Sequence, residues 1–126
     1  MKPRIKNCIE NLKHLPGVYL MYNIDNYIIY IGKAKDLYKR VSQYFLHPQV
    51  NKVLKMVNEA EYFETIITNN EKEALVLEMN LIQTHYPKYN ILLKDDRHYP
   101  YIALSKLGDP ILSIKRNKKD NKYTYF

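Results

Sequence analysis

Two short apolar runs near the N-terminus constrain the fold more than any other feature of this chain. GVYLMY at 17–22 and YIIYI at 27–31 are rich in β-branched and aromatic residues, a composition typical of strands. The NIDN between them supplies Asp25 and Asn26, and both residue types tolerate the positive φ of a tight turn. The sequence therefore predicts an antiparallel β-hairpin.

Beyond the hairpin, most apolar residues follow the spacing of helices. Asn70 followed three residues later by Glu73 resembles a capping box and predicts the start of the longest helix, which Pro87 ends. We predict further helices over 5–14, 33–45 and 50–60, a third strand over 61–68, and an exposed polar loop after Pro87.

Together these elements predict one α+β domain. It contains a small antiparallel three-stranded sheet flanked by helices, with extra C-terminal strands. We assign residues 1–105 to this domain and residues 106–126 to the start of the following segment of a longer parent chain, because the strand-like YTYF at the end has no turn or partner after it.

Composition narrows the classes of partner and site. The 126 residues carry 20 Lys and Arg against 13 Asp and Glu, a formal charge of +7, which suits a polyanion such as nucleic acid. The single cysteine, Cys8, excludes an internal disulfide and a multi-thiolate zinc site. No apolar run approaches ~20 residues and no secretory signal is recognisable, so we expect a cytoplasmic protein without a membrane span.

Glu78 is a carboxylate on a helix face that should be buried. Its neighbours three and four positions away are all apolar: Ala74, Leu75, Leu81 and Ile82. An unpaired buried charge is costly, so Glu78 needs a partner. A buried Arg or Lys would supply one, and so would a hard metal ion, because Mg²⁺ is often held by one or two carboxylates and several waters.

The predicted hairpin carries Tyr19 and Tyr30, whose hydroxyl groups we expect on one face. Strand alternation places Ile28 on the face of Tyr30 and Ile29 on the opposite face. A buried tyrosine usually only packs, but two of them near Gly32 indicate a hydroxyl cluster. Gly32 has no side chain, which would let a ligand or another backbone segment approach closely.

Three further polar residues could complete a site beside those hydroxyl groups. Lys33 is expected at a helix N-terminus, a position that favours phosphate, although a solvated lysine is the simpler interpretation. Arg40 could snorkel along the core edge, pair with Glu78 or clamp a phosphate. Asn90 fits either a turn or an amide that fixes a tyrosine hydroxyl.

These residues resemble the constellation of a known family. GVY at 17–19 and YIG at 30–32 resemble the two-part signature of the GIY-YIG nucleases, and Arg40, Glu78 and Asn90 follow in that family's order. The segments IYIGKAKDLYKRVSQYF, NEKEALVLEMNLI and PKYNILLKDDRHYPYI are similar to the N-terminal endonuclease domain of UvrC-type proteins.

The resemblance implies a metal-dependent DNA endonuclease. Glu78 would hold one divalent cation, Mg²⁺ or Mn²⁺, while Tyr30 would accept a proton from the attacking water and Arg40 would stabilise the transition state. Because a phenol has a reference pKa near ~10, this role requires a cation close to Tyr30. The same resemblance completes the site with Tyr19, Lys33, Tyr44 and Asn90.

The resemblance also implies partners. The substrate would be damaged double-stranded DNA, cut 3′ to the lesion in nucleotide excision repair after UvrB is loaded there, with UvrB contacted by parts of the parent protein that this chain lacks. From their placement we assign Lys35, Lys39 and Lys52 to contacts with the DNA backbone. Two alternatives stay open: another GIY-YIG nuclease, homing or structure-specific, and a noncatalytic basic nucleic-acid-binding module.

Overall fold

A computed structural model describes residues 1–94 of the chain, and for Lys94 the backbone only. The elements in this part are, in order, α1 (Pro3–Glu10), β1 (Gly17–Tyr22), β2 (Ile28–Ala34), α2 (Leu37–Leu46), α3 (Asn51–Glu59), β3 (Tyr62–Ile67), α4 (Glu71–His85) and α5 (Lys88–Lys94). The expected C-terminal strands and the expected boundary after residue 105 lie outside the described residues.

Within residues 1–94 the strands form one antiparallel sheet in the order β2-β1-β3, so β2 and β3 are the edges of this part. Helices contribute to apolar clusters on both faces. On one face Ala74 of α4 packs with Val18, Leu20 and Ile31. On the other face the core includes Ile5, Leu37, Val41, Met56, Tyr89 and Leu93, which come from α1, α2, α3 and α5. None of the helices within residues 1–94 is long and apolar enough to cross a bilayer.

Two local predictions of the sequence are confirmed by backbone geometry. Asn26 has a φ of 67°, the left-handed conformation expected in the hairpin turn. Asn70 accepts a hydrogen bond from the backbone N–H of Glu73 at 2.8 Å and so caps α4 as predicted. The reciprocal bond of the capping box is displaced by one residue, because Glu73 accepts from the N–H of Asn69 at 3.2 Å.

The hairpin departs from strict alternation at one position. Met21 pairs with Tyr30 and Tyr22 pairs with Ile28, which leaves Ile29 as the extra residue of a β-bulge. Ile29 and Tyr30 therefore join the same core cluster, while Ile28 packs against the other face. The expectation that Ile28 shares the face of Tyr30 is wrong, because a bulge shifts every preceding side chain to the opposite face.

The strand-to-helix transition after the hairpin also differs from the prediction. β2 continues through Gly32 and Lys33, both paired with β1, and α2 begins only at Leu37. Asp36 caps α2 by accepting the backbone N–H of Lys39 at 3.0 Å. Lys33 is therefore a strand residue, and the expected phosphate site at a helix N-terminus is not formed there.

The segment after Pro87 is a helix where we expected an exposed loop. Within α5, Tyr89 is only 1% exposed and Leu93 is also buried. A seven-residue helix has little stability by itself, so tertiary packing decides whether it forms. The sequence pattern could not show this packing, because the surfaces that bury Tyr89 and Leu93 belong to distant parts of the chain.

Candidate active site

Three tyrosine rings meet on the sheet face that α2 covers. The ring centroids of Tyr19 and Tyr30 are 6.1 Å apart, those of Tyr19 and Tyr44 are 5.9 Å apart, and those of Tyr30 and Tyr44 are 6.4 Å apart. The hydroxyl oxygens of Tyr19 and Tyr44 are within 3.0 Å. Tyr19 is fully buried, Tyr30 is 7% exposed and Tyr44 is half-buried, so the cluster extends from the core to the surface.

Gly32 provides the space for one of these rings. It pairs with Tyr19 across the hairpin, and a Cβ atom at Gly32 would lie 2.3 Å from the Tyr19 hydroxyl oxygen and 2.4 Å from its Cζ. The space left by the absent side chain therefore accommodates a neighbouring tyrosine of the same sheet. The sequence predicts a ligand or another backbone segment in this space, and the structure places the Tyr19 ring there.

Arg40 extends from α2 to the tyrosine cluster. Its guanidinium lies near the Tyr19 hydroxyl, which raises the pKa of Arg40 above its ordinary value, and its Cζ lies 6.0 Å from the centroid of the Tyr44 ring. Burial raises the pKa of Tyr19 well above 10.0, and the nearby Tyr30 and Tyr44 raise it further. Tyr19 is therefore a neutral hydroxyl that can donate to the hydroxyl of Tyr44.

Two side chains bind the outer edge of β2. The amide of Asn90 spans the backbone of Ile31: its Nδ2 donates to the carbonyl oxygen and its Oδ1 accepts from the N–H, both at 2.8 Å. Glu78 Oε2 accepts from the backbone N–H of Lys33 at 2.9 Å. Because Ile31 and Lys33 are two positions apart, these groups point to the same edge, and the two side chains take the place of a neighbouring strand. Asn90 thus fixes the backbone next to Tyr30; we had expected either a turn or a bond to a tyrosine hydroxyl.

Glu78 has surroundings that fit a single hard cation. It is half-buried; of its apolar neighbours on α4, Ala74 is buried whereas Leu75 is 40% exposed, so the face is only partly covered. Within residues 1–94 no three His, Cys, Asp or Glu side chains converge as metal ligands. A divalent ion bound at Glu78 would therefore rely on one carboxylate and further oxygen donors, which is how Mg²⁺ is commonly held.

The Lys33 ammonium forms an ion pair with a carboxylate of α4. Its Nζ lies 2.9 Å from Glu71 Oε2, and this contact lowers the pKa of Glu71 below its ordinary value. The backbone of Lys33 binds Glu78 and its side chain binds Glu71, so this residue links β2 to two positions of the same helix.

The three lysines assigned to DNA have different surroundings. Lys35 and Lys39 are exposed and lie on either side of the Asp36 cap, at the start of α2. Lys52 is half-buried, and its Nζ donates to the carbonyl oxygen of Leu92 at 3.3 Å. Lys35 and Lys39 therefore present their charge to solvent, whereas Lys52 is tied to α5.

A surface groove of about 220 Å³ opens at the exposed end of the tyrosine cluster. Its lining includes Tyr44 of the cluster and Arg40, which extends to the cluster, so the groove gives access to the cluster from solvent. Within residues 1–94 the lining consists of Arg40, Gln43, Tyr44, Gln49 and Val53.

Two carboxylates near the site were missed by sequence reasoning. Asp36 caps α2 and accepts from His14 Nδ1 at 2.9 Å; an aspartate directly before an amphipathic helix is a capping signal that could have been found. Glu59 ends α3 and contacts Lys88 and Tyr89, 29 and 30 residues away. No local sequence signal indicates a contact of that separation.

Comparisons with known proteins identify the family. A family model described as a UvrC-like GIY-YIG domain matches residues 15–91. The chain belongs to this family. The UvrABC system protein C of Ureaplasma parvum serovar 3 is 49% identical over 126 residues, which is 100% of this chain and 22% of the relative. The protein of the same name from Finegoldia magna is 51% identical over 124 residues, 97% of this chain and 20% of the relative.

This GIY-YIG domain spans about a fifth of the length of those curated relatives. Among solved structures it is similar to the GIY-YIG N-terminal endonuclease domain of UvrC from Thermotoga maritima, bound to its catalytic divalent cation, magnesium. The TM-score is 0.65 and the identity is 47%, covering 71% of this chain and 99% of that chain. The predicted fold class, the predicted family and the prediction of a GIY-YIG nuclease domain are confirmed.

Proposed function

We propose that this GIY-YIG domain hydrolyses one DNA phosphodiester on the 3′ side of a lesion, with one divalent cation, during nucleotide excision repair. The observation that carries the proposal is the position of Glu78, whose carboxylate is fixed to the edge of the strand that carries Tyr30. The magnesium-bound endonuclease domain from T. maritima, with 47% identity, supports both the reaction class and the cation.

Glu78 is the proposed ligand of the cation. The N–H of Lys33 binds Oε2 at 2.9 Å and so orients the carboxylate at the sheet edge. When bound, Mg²⁺ or Mn²⁺ supplies Lewis-acid chemistry, which neutralises charge on the phosphate and on the leaving 3′ oxygen.

The tyrosine cluster performs the proton transfer in this proposal. Tyr30, as its anion, accepts the proton of the attacking water while the new P–O bond forms and the bond to the 3′ oxygen breaks. Tyr44 reaches the surface and orients the water and the phosphate, together with Tyr19, which remains a neutral hydroxyl because burial raises its pKa.

Arg40 and Asn90 have supporting roles around the reacting phosphate. The Arg40 guanidinium remains charged and is positioned by the Tyr19 hydroxyl, so it can stabilise the pentacoordinate transition state. Asn90 holds the backbone of Ile31 and so fixes the adjacent Tyr30 in β2. Lys33 has a supporting electrostatic role near Glu78.

Substrate, partner, domain limit and compartment belong to the same proposal. We propose damaged double-stranded DNA as the substrate, with exposed Lys35 and Lys39, and also Lys52, as backbone contacts. The domain extends over residues 1–105 and acts in the cytoplasm. Because the chain spans about a fifth of its relatives, we assign lesion recognition and contact with UvrB to other parts of the parent protein.

A Glu78→Gln variant tests this function, because glutamine keeps an acceptor for the Lys33 N–H and removes the charge. We expect the unaltered chain to nick lesion-bearing duplex DNA with Mg²⁺ or Mn²⁺, alone or when joined to the remaining UvrC segments with UvrB loaded. Glu78→Gln should lose nicking and calorimetric Mn²⁺ binding while its affinity for DNA is retained. Glu73→Gln, the same charge change on the same helix, is the matched control. Equal DNA binding with no nicking by either protein under any of these conditions would contradict the proposal.

A further inference from the structure

The short helix α5 must be anchored for Asn90 to hold the edge of β2. The amide of Asn90 makes two hydrogen bonds to Ile31, 59 residues earlier in the chain. Such a pair of bonds requires the helix axis to be fixed in position and rotation, and a seven-residue helix does not fix itself. The contacts that dock α5 therefore control the geometry at β2.

Glu59 makes polar contacts that dock the first turn of this helix. Its Oε1 accepts from the Tyr89 hydroxyl at 2.7 Å and from Lys88 Nζ at 2.9 Å, and Lys88 is also 3.3 Å from Oε2. The side chain of Asn23, which follows β1, lies close enough to the same carboxylate to lower its pKa. One carboxylate thus joins the end of α3 to the start of α5, next to the hairpin.

The residues bound by Glu59 directly precede Asn90. Lys88 and Tyr89 occupy the first turn of α5, and the Tyr89 ring is buried in the core. The carboxylate of Glu59 gives both hydrogen bonds the strength of an ionised acceptor, whereas the amide of glutamine would offer one accepting oxygen without the charge. The charge on Glu59 is therefore part of the docking.

We propose that Glu59 is a positioning residue for the nuclease site: by holding Lys88 and Tyr89 it sets the Asn90 amide against Ile31 and so fixes the β2 backbone beside Tyr30. Its importance for catalysis rests on the proposed function. Its action on the β2 backbone does not, because that action is a property of the fold.

Amide hydrogen exchange in the 126-residue chain tests the structural part of the inference without any nuclease assay. The N–H of Ile31 donates to Asn90, so Asn90→Ala should raise its exchange rate about tenfold. Glu59→Gln should raise the exchange of the same amide by a similar factor, with the amides of β1 and β3 unchanged. An Ile31 amide that exchanges as in the unaltered chain would overturn the inference.

Two further variants keep this test decisive. Glu61→Gln is the matched control, because Glu61 pairs with Lys2 at 3.5 Å and, within residues 1–94, has no hydrogen bond or ion pair with α5. If Glu59→Gln does not fold, Lys88→Met removes one of the donors and leaves the bond from Tyr89 in place. Lys88→Met should then raise Ile31 exchange by a smaller factor than Asn90→Ala, and no change would again overturn the inference.

A double-mutant cycle in the nicking assay then tests the link to catalysis. If Glu59 acts through Asn90, Glu59→Gln should lower the nicking rate about tenfold in the unaltered chain and have no further effect in Asn90→Ala. Effects that multiply would show that Glu59 acts by another route, and they would overturn the inference. Loss of protection at Ile31 without nicking by the unaltered chain would instead contradict the proposed function alone.

Discussion

Tyr30 and Gly32 lie two positions apart in β2 and serve the site in opposite ways. Tyr30 places a hydroxyl group at the edge of the core, whereas Gly32 leaves out a side chain so that the ring of Tyr19 can lie against the strand. The same short stretch therefore contains a group proposed for chemistry and a gap required by packing. Substitutions at the two positions should separate these roles.

Replacing Tyr30 by phenylalanine removes the proposed proton acceptor and keeps the ring that packs in the cluster. We expect the nicking rate to fall by at least about 100-fold, the usual lower range for loss of a general base, with little change in melting temperature. Tyr27→Phe, at an exposed tyrosine of the same hairpin, is the matched control and should nick normally. Unchanged turnover in Tyr30→Phe would assign the proton transfer to another group.

Replacing Gly32 by alanine should destabilise the fold through the Tyr19 ring. The added Cβ would lie 2.3 Å from the hydroxyl oxygen of Tyr19, whose ring is fully buried, so we expect a loss of about 1–3 kcal/mol in the free energy of unfolding. Urea denaturation measures the loss. In a Tyr19→Leu background the same change should cost distinctly less; an equal cost in both backgrounds would mean that the strain arises elsewhere.

At the scale of elements, the site depends on how β2 is held at its outer edge. In the sheet β1 satisfies one side of β2, while Asn90 and Glu78 from α5 and α4 bind the other side. An edge strand with unpaired backbone groups is both mobile and prone to association with another strand. Here the side chains of two helices replace the missing strand and leave Tyr30 in a defined position.

The docking of α5 through Glu59 should depend on pH. Burial raises the pKa of Glu59, but the hydrogen bonds from Tyr89 and Lys88 outweigh it, so the net pKa lies below the ordinary value of 4.5. A carboxylate with a lowered pKa in the folded state contributes stability above its unfolded pKa and loses it as the pH falls through the folded value. The difference in unfolding free energy between the unaltered chain and Glu59→Gln should thus be full at pH 7 and shrink below about pH 4.5.

Chemical denaturation at a series of pH values measures this difference. Within residues 1–94 the charged and polar groups that face Glu59 are Lys88 and Tyr89 from α5 and Asn23 from the hairpin. Lys88 stays protonated throughout the acid range, so the change reports on the carboxylate. A difference that stays constant from pH 7 to pH 3 would show that Glu59 acts by size and shape, without its charge.

At the scale of the whole molecule, the chain combines a sheet that has apolar clusters on both faces with an excess of positive charge. The formal charge of +7 belongs to the complete sequence, and exposed Lys35 and Lys39 bring part of it to the start of α2, the helix that carries Arg40. The electrostatic part of DNA binding should therefore be independent of base sequence and strongly dependent on salt. In this proposal the partners select the position on the DNA at which the domain cuts.

Salt titrations of DNA affinity test that charge distribution. Each phosphate contact adds about 0.9 to the magnitude of the slope of log K against log salt for duplex DNA, so Lys35→Ala should lower that magnitude by about 0.9. Lys6→Ala, at an exposed lysine of α1, is the matched control and should leave the slope unchanged. Equal slopes for all three proteins would remove Lys35 from the DNA surface.

Much of this protein could be predicted from the sequence because the signals are local. Asn26 in the hairpin turn and Asn70 before the longest helix each act within a few residues, and the structure confirms both. The order of the signature residues predicted the family, which the comparisons confirm. Composition indicated a polyanionic partner, and that remains part of the proposal.

The tertiary structure decided what depends on contacts between distant residues. The bulge at Ile29, the fit of Tyr19 over Gly32 and the pairing of Asn90 with Ile31 each require two segments to meet, in the last case across 59 positions. A periodic pattern records only which face of one element is apolar, because helix and strand geometry repeat over a few residues. Which segment packs against that face is decided by the tertiary structure. Tertiary packing also makes α5 a helix where the sequence predicts a loop, and α5 holds the edge of β2.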